Sequence, residues 1–310
     1  MADEPIGLQG RVHPYEVEAT SDHWFPTGVQ RLWVDGERSI SRVGPDGRFA
    51  SKVVPKKKPN RGFGDIRSGH AMVFGVSPWN HSFEADFNDV DREAPVVLRK
   101  LRDDLFEAGV SAESLNLNIQ EAATLVAYCF SVLLRSPAYR HRMSFAGVGF
   151  GLPQDERVGR ANVQQAWSSA KTIDLQECNR ADLRLLVSRD AEFIFADGLV
   201  DGLFSLDASI SWRAVGQRWI ADLCGEALVP LLPNLCAYLR FSRSGLGCRV
   251  KTIDVEPDVT SSVNALTQIY AKDDLFFRSE TPTLTRDFIC GEHRELKSFE
   301  IELMRWLRST

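Results

Sequence analysis

Apolar positions in the chain change their period from one region to the next, and the changes outline the elements. Between Val29 and Val54 the pattern alternates: RLWV, then RSISRV, then GRFASKVV, broken by Asp35-Gly36 and Asp46-Gly47. Asp-Gly between alternating stretches is a hairpin signal, so a small antiparallel sheet is expected here. In NHSFEADFNDVDREAPVVLRKLRDDLFEAG the residues Phe83, Phe87, Val90, Val97, Leu98, Leu101 and Leu105 fall three or four apart, which is helical spacing. Pro95 is expected to separate or kink two helices in that stretch. IQEAATLVAYCFSVLLRSPAYRHRM is apolar on nearly every face from Ala122 to Leu134, so it predicts a helix buried on most sides and ended or interrupted at Pro137.

Beyond the Gly-rich GVGFGLPQDERVG, VQQAWSSAKTIDLQ reads as a further helix. The period then shifts again. EFIFADGLVDGLFSLDASISWRAVG and LCAYLRFSRSGLGCRVKTIDV alternate as half-buried strands, with Gly and Asp at the breaks. VTSSVNALTQIYAKDDLFF opens with Thr and Ser cap candidates and reads as a helix, and EHRELKSFEIELMRWLRS reads as a closing one on the stripe Leu296, Phe299, Leu303 and Leu307. Strands and helices segregate instead of alternating, which predicts an α+β architecture. The expected arrangement is a single domain over 1–310: an N-terminal β-hairpin lobe (about 20–75), a helical middle layer (about 80–175) and a mixed β-rich C-terminal half (about 183–310) closed by a helix.

Composition narrows the function classes. The chain has 310 residues, 44% hydrophobic and 25% charged, with a net charge of −5, which is globular and argues against a surface that grips phosphate throughout. No run of about 18 apolar residues appears, MADEPIGLQG is polar and acidic, and RWLRST carries no lipidation motif, so a cytoplasmic protein with no membrane partner is expected. Six cysteines without a Cys-x-x-Cys pair read as small buried hydrophobes. Charge is nevertheless uneven. Lys52, Lys56, Lys57, Lys58 and Arg61 cluster in KVVPKKKPNR, the candidate nucleic-acid-binding loop, and Arg135, Arg140, His141 and Arg142 cluster in RSPAYRHR. The plainer reading of both is a solvated loop and a solvated helix end.

Several chemistries fail on the letters. The zinc-protease His-Glu-x-x-His is absent, and the six histidines (His13, His23, His70, His81, His141 and His293) are well separated. A metal set would have to assemble across the fold from His23, His70 or His81 with Glu84, Asp86 and Asp197; no metal and no cofactor is the expectation. Asp287 with Glu295-Leu296-Lys297 matches a restriction-nuclease motif in letters, but its helical context points Glu295 and Lys297 to different faces. GVGFG lacks the Lys-Ser/Thr of a phosphate loop, and no Gly-x-Ser-x-Gly occurs. Acid–base chemistry without a metal is left: His23 as proton carrier, Arg135 and Arg140 as stabilisers of a phosphorane-like transition state, and Asp197 orienting the imidazole. Each has a structural alternative. His23 with Trp24 and Pro26 can anchor the N-terminal sheet, Arg135 can be a buried ion pair or a helix-end partner, and Asp197 can cap a turn.

The order of segments also resembles a large bacterial family of unknown function. Its members open with His-x-x-Pro, here His23-Trp24-Phe25-Pro26, and carry a helix ending Arg-x-Pro, here Arg135-Ser136-Pro137. The Phe-Ile-x-x-Asp-Asn-Pro-Val strand and loop corresponds to Phe193–Val200, Pro-Leu-x-Pro to Pro230–Pro233, and the Asn-proximal helix to Val263-Asn264-Ala265. Gly198 and Leu199 depart from the family's Asn-Pro after the acid. The resemblance carries no reaction. Its bacterial setting implies a phage-defence effector acting on nucleic acid or nucleotide as one function class. The other is a non-catalytic binding or sensor subunit whose protein partner is encoded by a neighbouring gene.

Overall fold

In the computed structural model, which describes residues 21–34, 39–53, 64–67, 69–72, 81–145, 148, 151–170, 181–201, 226–241, 249–290 and 298–309, the fold is α+β. Strand β1 (Ser21–His23) leads through Pro26 into a single helical turn, α1 (Thr27–Gln30). RLWV is therefore not a strand: Leu32 and Trp33 leave α1 in a turn, and the buried Trp33 indole donates to the Leu231 carbonyl at 3.1 Å. The expected hairpin follows as β2 (Ser39–Val43) and β3 (Phe49–Val53), paired from Ser39 opposite Val53 to Val43 opposite Phe49. Gly47 sits in its turn at φ +72°, the left-handed region that glycine enters without cost. Asp35-Gly36 and most of the basic loop, Lys56 to Arg61, lie outside the described residues.

Short strands β4 (Asp65–Arg67), β5 (Ala71–Met72) and β6 (His81–Ser82) precede a 3₁₀ turn at Glu84–Phe87 and helix α2 (Asn88–Arg102). α2 runs through Pro95 without a break. The proline ring is buried against Gly28, so packing holds the helix together where the ring removes one backbone bond. α3 (Ile119–Arg135) is the buried helix expected, started by a reciprocal Asn118–Glu121 capping box and ended before Pro137, which opens α4 (Pro137–Ser144). α5 (Glu156–Ala170) completes the helical layer.

The C-terminal half contributes β7 (Ala181–Ser188), β8 (Phe195–Ala196), β9 (Val200–Asp201), β10 (Glu226–Leu232), β11 (Leu235–Phe241) and β12 (Arg249–Val255). Helix α6 (Pro257–Tyr270), strand β13 (Leu275–Phe277), α7 (Arg286–Cys290) and α8 (Ser298–Ser309) close it. Five strands form a mixed sheet in the order β12-β7-β11-β10-β9, in which only β12 and β7 are parallel. Alternate residues explain its layers. Leu183, Leu185, Val187, Leu235, Ala237 and Leu239 join the core under the α2–α3 layer, while Leu186, Cys236 and Tyr238 pack on the other face with Val263, Leu266, Leu303 and Leu307 of α6 and α8. A sheet covered on both faces reads as nearly continuous burial, which is why β7 does not alternate cleanly.

Two expectations are corrected here. Leu275–Phe277, read as the end of a helix, is a strand: Lys272–Asp274 turn the chain, and three apolar residues follow. That strand inserts between β2 and β8, giving a four-stranded antiparallel sheet β3-β2-β13-β8, so the N-terminal hairpin is continuous with the C-terminal half and does not form a lobe of its own. Among the described residues no helix is long and apolar enough to cross a membrane.

Candidate functional site

The His-Trp-Phe-Pro stretch is fixed by its aromatics. Trp24 and Phe25 are buried, Phe25 stacks on Phe195 at 4.3 Å and Trp24 on Phe195 at 5.8 Å, and both backbone N–H groups donate to the Gly64 carbonyl. β1 pairs antiparallel with β4, Asp22 opposite Ile66 and His23 opposite Asp65. Successive residues of a strand face opposite sides. Asp22 therefore points inward, 1% exposed, while the His23 side chain stays 28% exposed.

Glu84, at the start of the 3₁₀ turn, draws the two sides together. One carboxylate oxygen, Oε1, accepts the His23 backbone N–H at 3.1 Å and lies 3.6 Å from His23 Nδ1; the other, Oε2, meets Nδ1 of the buried His70. Burial alone pushes the Glu84 carboxyl up, but the two histidines facing it outweigh burial and hold it well below the usual carboxylate range. His70 is wedged between the Phe83 and Phe87 rings, and its backbone N–H donates to Asp22 Oδ2 at 2.6 Å. Asp22, His70 and Glu84 each present one ligand atom within 4.8 Å of the others.

Two arginines border the cluster. Arg140 of α4 donates to the Gly69 carbonyl at 3.4 Å, beside His70, and lies 3.9 Å from Glu156. Burial lowers its pKa and Arg160 repels it, while Glu156 and Asp22 attract it, so the guanidinium lies within electrostatic reach of Asp22. Arg160 of α5 donates to the Ala71 carbonyl at 3.1 Å. Gly69 has no room for a side chain here, since a Cβ would come within 2.9 Å of both Arg140 and Ile66.

The four residues nominated for catalysis do not converge. His23 belongs to the cluster and Arg140 borders it. Arg135 is 1% exposed, and the five N–H donors of its guanidinium are all engaged: two on the Asp91 carboxylate at 2.7 and 2.9 Å, one on the His23 carbonyl at 3.1 Å, and two on Ser131. It lies over the Phe87 ring and positions His23 from behind, with no donor left for a substrate. Asp197 sits elsewhere, where β8 meets the turn before β13, and accepts the backbone N–H groups of Lys272 and Asp273 at 2.7 and 2.9 Å. Burial, aided by Asp273 and Asp274, raises its pKa from 3.8 to about 7 against those two donors. Of the nominated basic residues only Lys52 lies in a described element, β3, opposite Ile40. Asp22 and Arg160 were not singled out from the sequence; the adjacency of Asp22 to His23 was the available signal for the first.

Asp197 carries a pH prediction. With its folded pKa raised, the native state holds a proton between about pH 4 and about 7 that the unfolded chain has released, so its contribution to stability falls as pH rises through that window. Asp197→Asn is expected to flatten that part of the curve, read from urea midpoints across the window. An unchanged slope would assign the dependence to other groups.

Among the described residues no cysteine belongs to the cluster. Cys129 and Cys236 are free and buried; burial pushes the Cys129 thiol up to about 12 and Cys236 well above its ordinary value. Comparison of the chain with protein-family models, with curated proteins and with solved structures finds no match.

Proposed function

We propose that the protein is an enzyme acting on the phosphate of a nucleic acid or nucleotide by acid–base chemistry at His23. The observation that carries this reading is the convergence of the His23 and His70 imidazoles on the Glu84 carboxylate, with the Arg140 guanidinium at the border. A carboxylate facing Nδ1 orients the imidazole and stabilises its protonated form, which puts Nε2 on the opposite edge of the ring to exchange a proton with a substrate. Arg140, with 18% of its side chain exposed, supplies positive charge for a phosphate. Arg135 contributes through the His23 carbonyl, and Asp197 holds a turn. A role in bacterial phage defence belongs to this reading through the family resemblance alone, and a cytoplasmic setting through the composition of the chain.

The test is a hydrolysis assay on total RNA, single-stranded DNA, plasmid and nucleoside triphosphates. His23→Ala is expected to lose about 10²- to 10⁴-fold in kcat, the ordinary worth of a positioned acid–base group, with its melting temperature within a few degrees of wild type. Full activity in a folded His23→Ala variant would overturn the assignment.

One observation favours the second reading, a binding subunit. Phe145, Val148 and Leu152, each close to half exposed or more, fall in one short stretch between α4 and α5. If wild-type protein hydrolyses none of these substrates, substitution of these three residues by serine is expected to abolish association with a partner encoded beside it.

A further inference from the structure

Asp22 poses a problem that the donors of the described residues do not solve. Its Oδ2 is bonded to the His70 backbone, but Oδ1, equally buried, has no hydrogen-bond partner among the described residues. A buried carboxylate oxygen left unpaired costs more than most single interactions contribute, so such an atom calls for an ion or an ordered water. Within 4.8 Å of the Asp22 carboxylate stands a second, Glu84, with a His70 ring nitrogen within the same distance of both. Two carboxylates brought together at a buried point repel unless a proton or a cation is shared between them.

We infer that Asp22, His70 and Glu84 bind a divalent transition-metal ion of the Zn²⁺ or Mn²⁺ class, an inference that rests on the reading of this cluster as the reactive centre. The donor set supports that class: imidazole suits zinc and iron, carboxylate suits manganese, and a mixed set suits the ions between. Three protein ligands leave coordination positions open for water or a substrate oxygen, as catalytic sites require. The ligands are also preorganised. They come from β1, the turn before β5 and the 3₁₀ turn, tied to one another by His70 N–H to Asp22, Phe83 N–H to the His70 carbonyl at 2.9 Å, and His23 N–H to Glu84. Bonds of this kind orient first ligands and are part of a working site. The ion would take the place of the His70–Glu84 contact. His23 stays outside the ligand set, beside it through Glu84.

The experiment uses the full chain, dialysed against chelator and titrated calorimetrically with ZnCl₂ and, separately, MnCl₂, with metal content measured after gel filtration. The expected result is one ion per chain and a rise in melting temperature with metal concentration. Asp22→Asn and Glu84→Gln should each weaken binding at least about tenfold, the effect of removing a ligand, while His23→Ala keeps the stoichiometry. Should either variant fail to fold, the imidazole ¹⁵N spectrum of the wild-type protein decides: one histidine ring that persists in His23→Ala must shift on adding ZnCl₂. No binding of either ion by the wild-type protein, unchanged binding in a folded Asp22→Asn variant, or no shifted ring would overturn the inference. Metal binding without hydrolysis of any substrate would leave the site standing and remove the catalytic reading. Hydrolysis by a protein that binds neither ion would do the reverse.

Discussion

Replacing Asp91 by alanine is expected to cost about 3–5 kcal/mol of stability, the usual consequence of stripping the partner from a buried guanidinium. Arg135 has no exposed side-chain surface, and Asp91 supplies its counter-charge among the described residues, through two bonds in the fork geometry that suits a carboxylate. Asp91→Asn should cost less, because it keeps one acceptor. The double replacement Arg135→Met with Asp91→Leu should recover most of the loss, since an apolar pair of similar volume removes the stranded charge as well as the bond. Urea midpoints of the four proteins give the comparison. A loss below about 1 kcal/mol for Asp91→Ala would mean that the pair is already solvated, as surface pairs are. Because the same guanidinium holds the His23 carbonyl, the alanine variant should also lose activity beyond what its folded fraction explains.

The second large effect lies at Gly198. A Cβ built there would stand 1.8 Å from the Tyr270 carbonyl oxygen and 2.8 Å from the Ala138 Cβ, so Gly198→Ala must push α6 and α4 away from β8. The expected cost is about 3 kcal/mol or more, at the upper end of overpacking effects. Gly47→Ala is the control: its Cβ meets nothing within 4 Å, so only the left-handed backbone at φ +72° opposes the change, worth about 1–2 kcal/mol. Equal losses at the two glycines would show that the close approach at Gly198 relaxes cheaply. No side chain fits after Asp197 here, and the Asp197 carboxylate is occupied by the Lys272 and Asp273 N–H groups.

Local signals were legible and distant ones were not. Asp46-Gly47 marked a hairpin because its turn chemistry is contained in two residues, and the apolar run of α3 marked a central helix because burial on every side needs no partner to be named. RLWV misled because a short apolar run looks like a strand whatever the backbone does, and here the buried Leu32 and Trp33 leave a helical turn that starts at Pro26. Leu275–Phe277 was hidden because three residues carry no period, and its partners lie in other parts of the chain. The site follows the same division. His23, His70 and Glu84 were visible as residue types, and the buried ion pair of Arg135 was one of its two foreseen alternatives. That Asp22 is buried depends on the β1–β4 pairing, which fixes the inward side of a three-residue strand and leaves no trace in composition.

The insertion of β13 between β2 and β8 has a consequence for how the chain is made. Arg42 and Asp274, 232 positions apart in the chain, meet across this sheet, so the inner edge of the first hairpin leaves the ribosome long before its neighbour exists. Contacts of such high order form slowly, and an unpaired edge is a template for the wrong strand. A nascent chain interrupted before Leu275 would carry β2 with that edge open and Val43 without the Leu275 it faces in the finished protein. Truncation from the C-terminal side should therefore yield aggregates, not a shorter folded protein, and β13 is the strand that commits the first hairpin to its place.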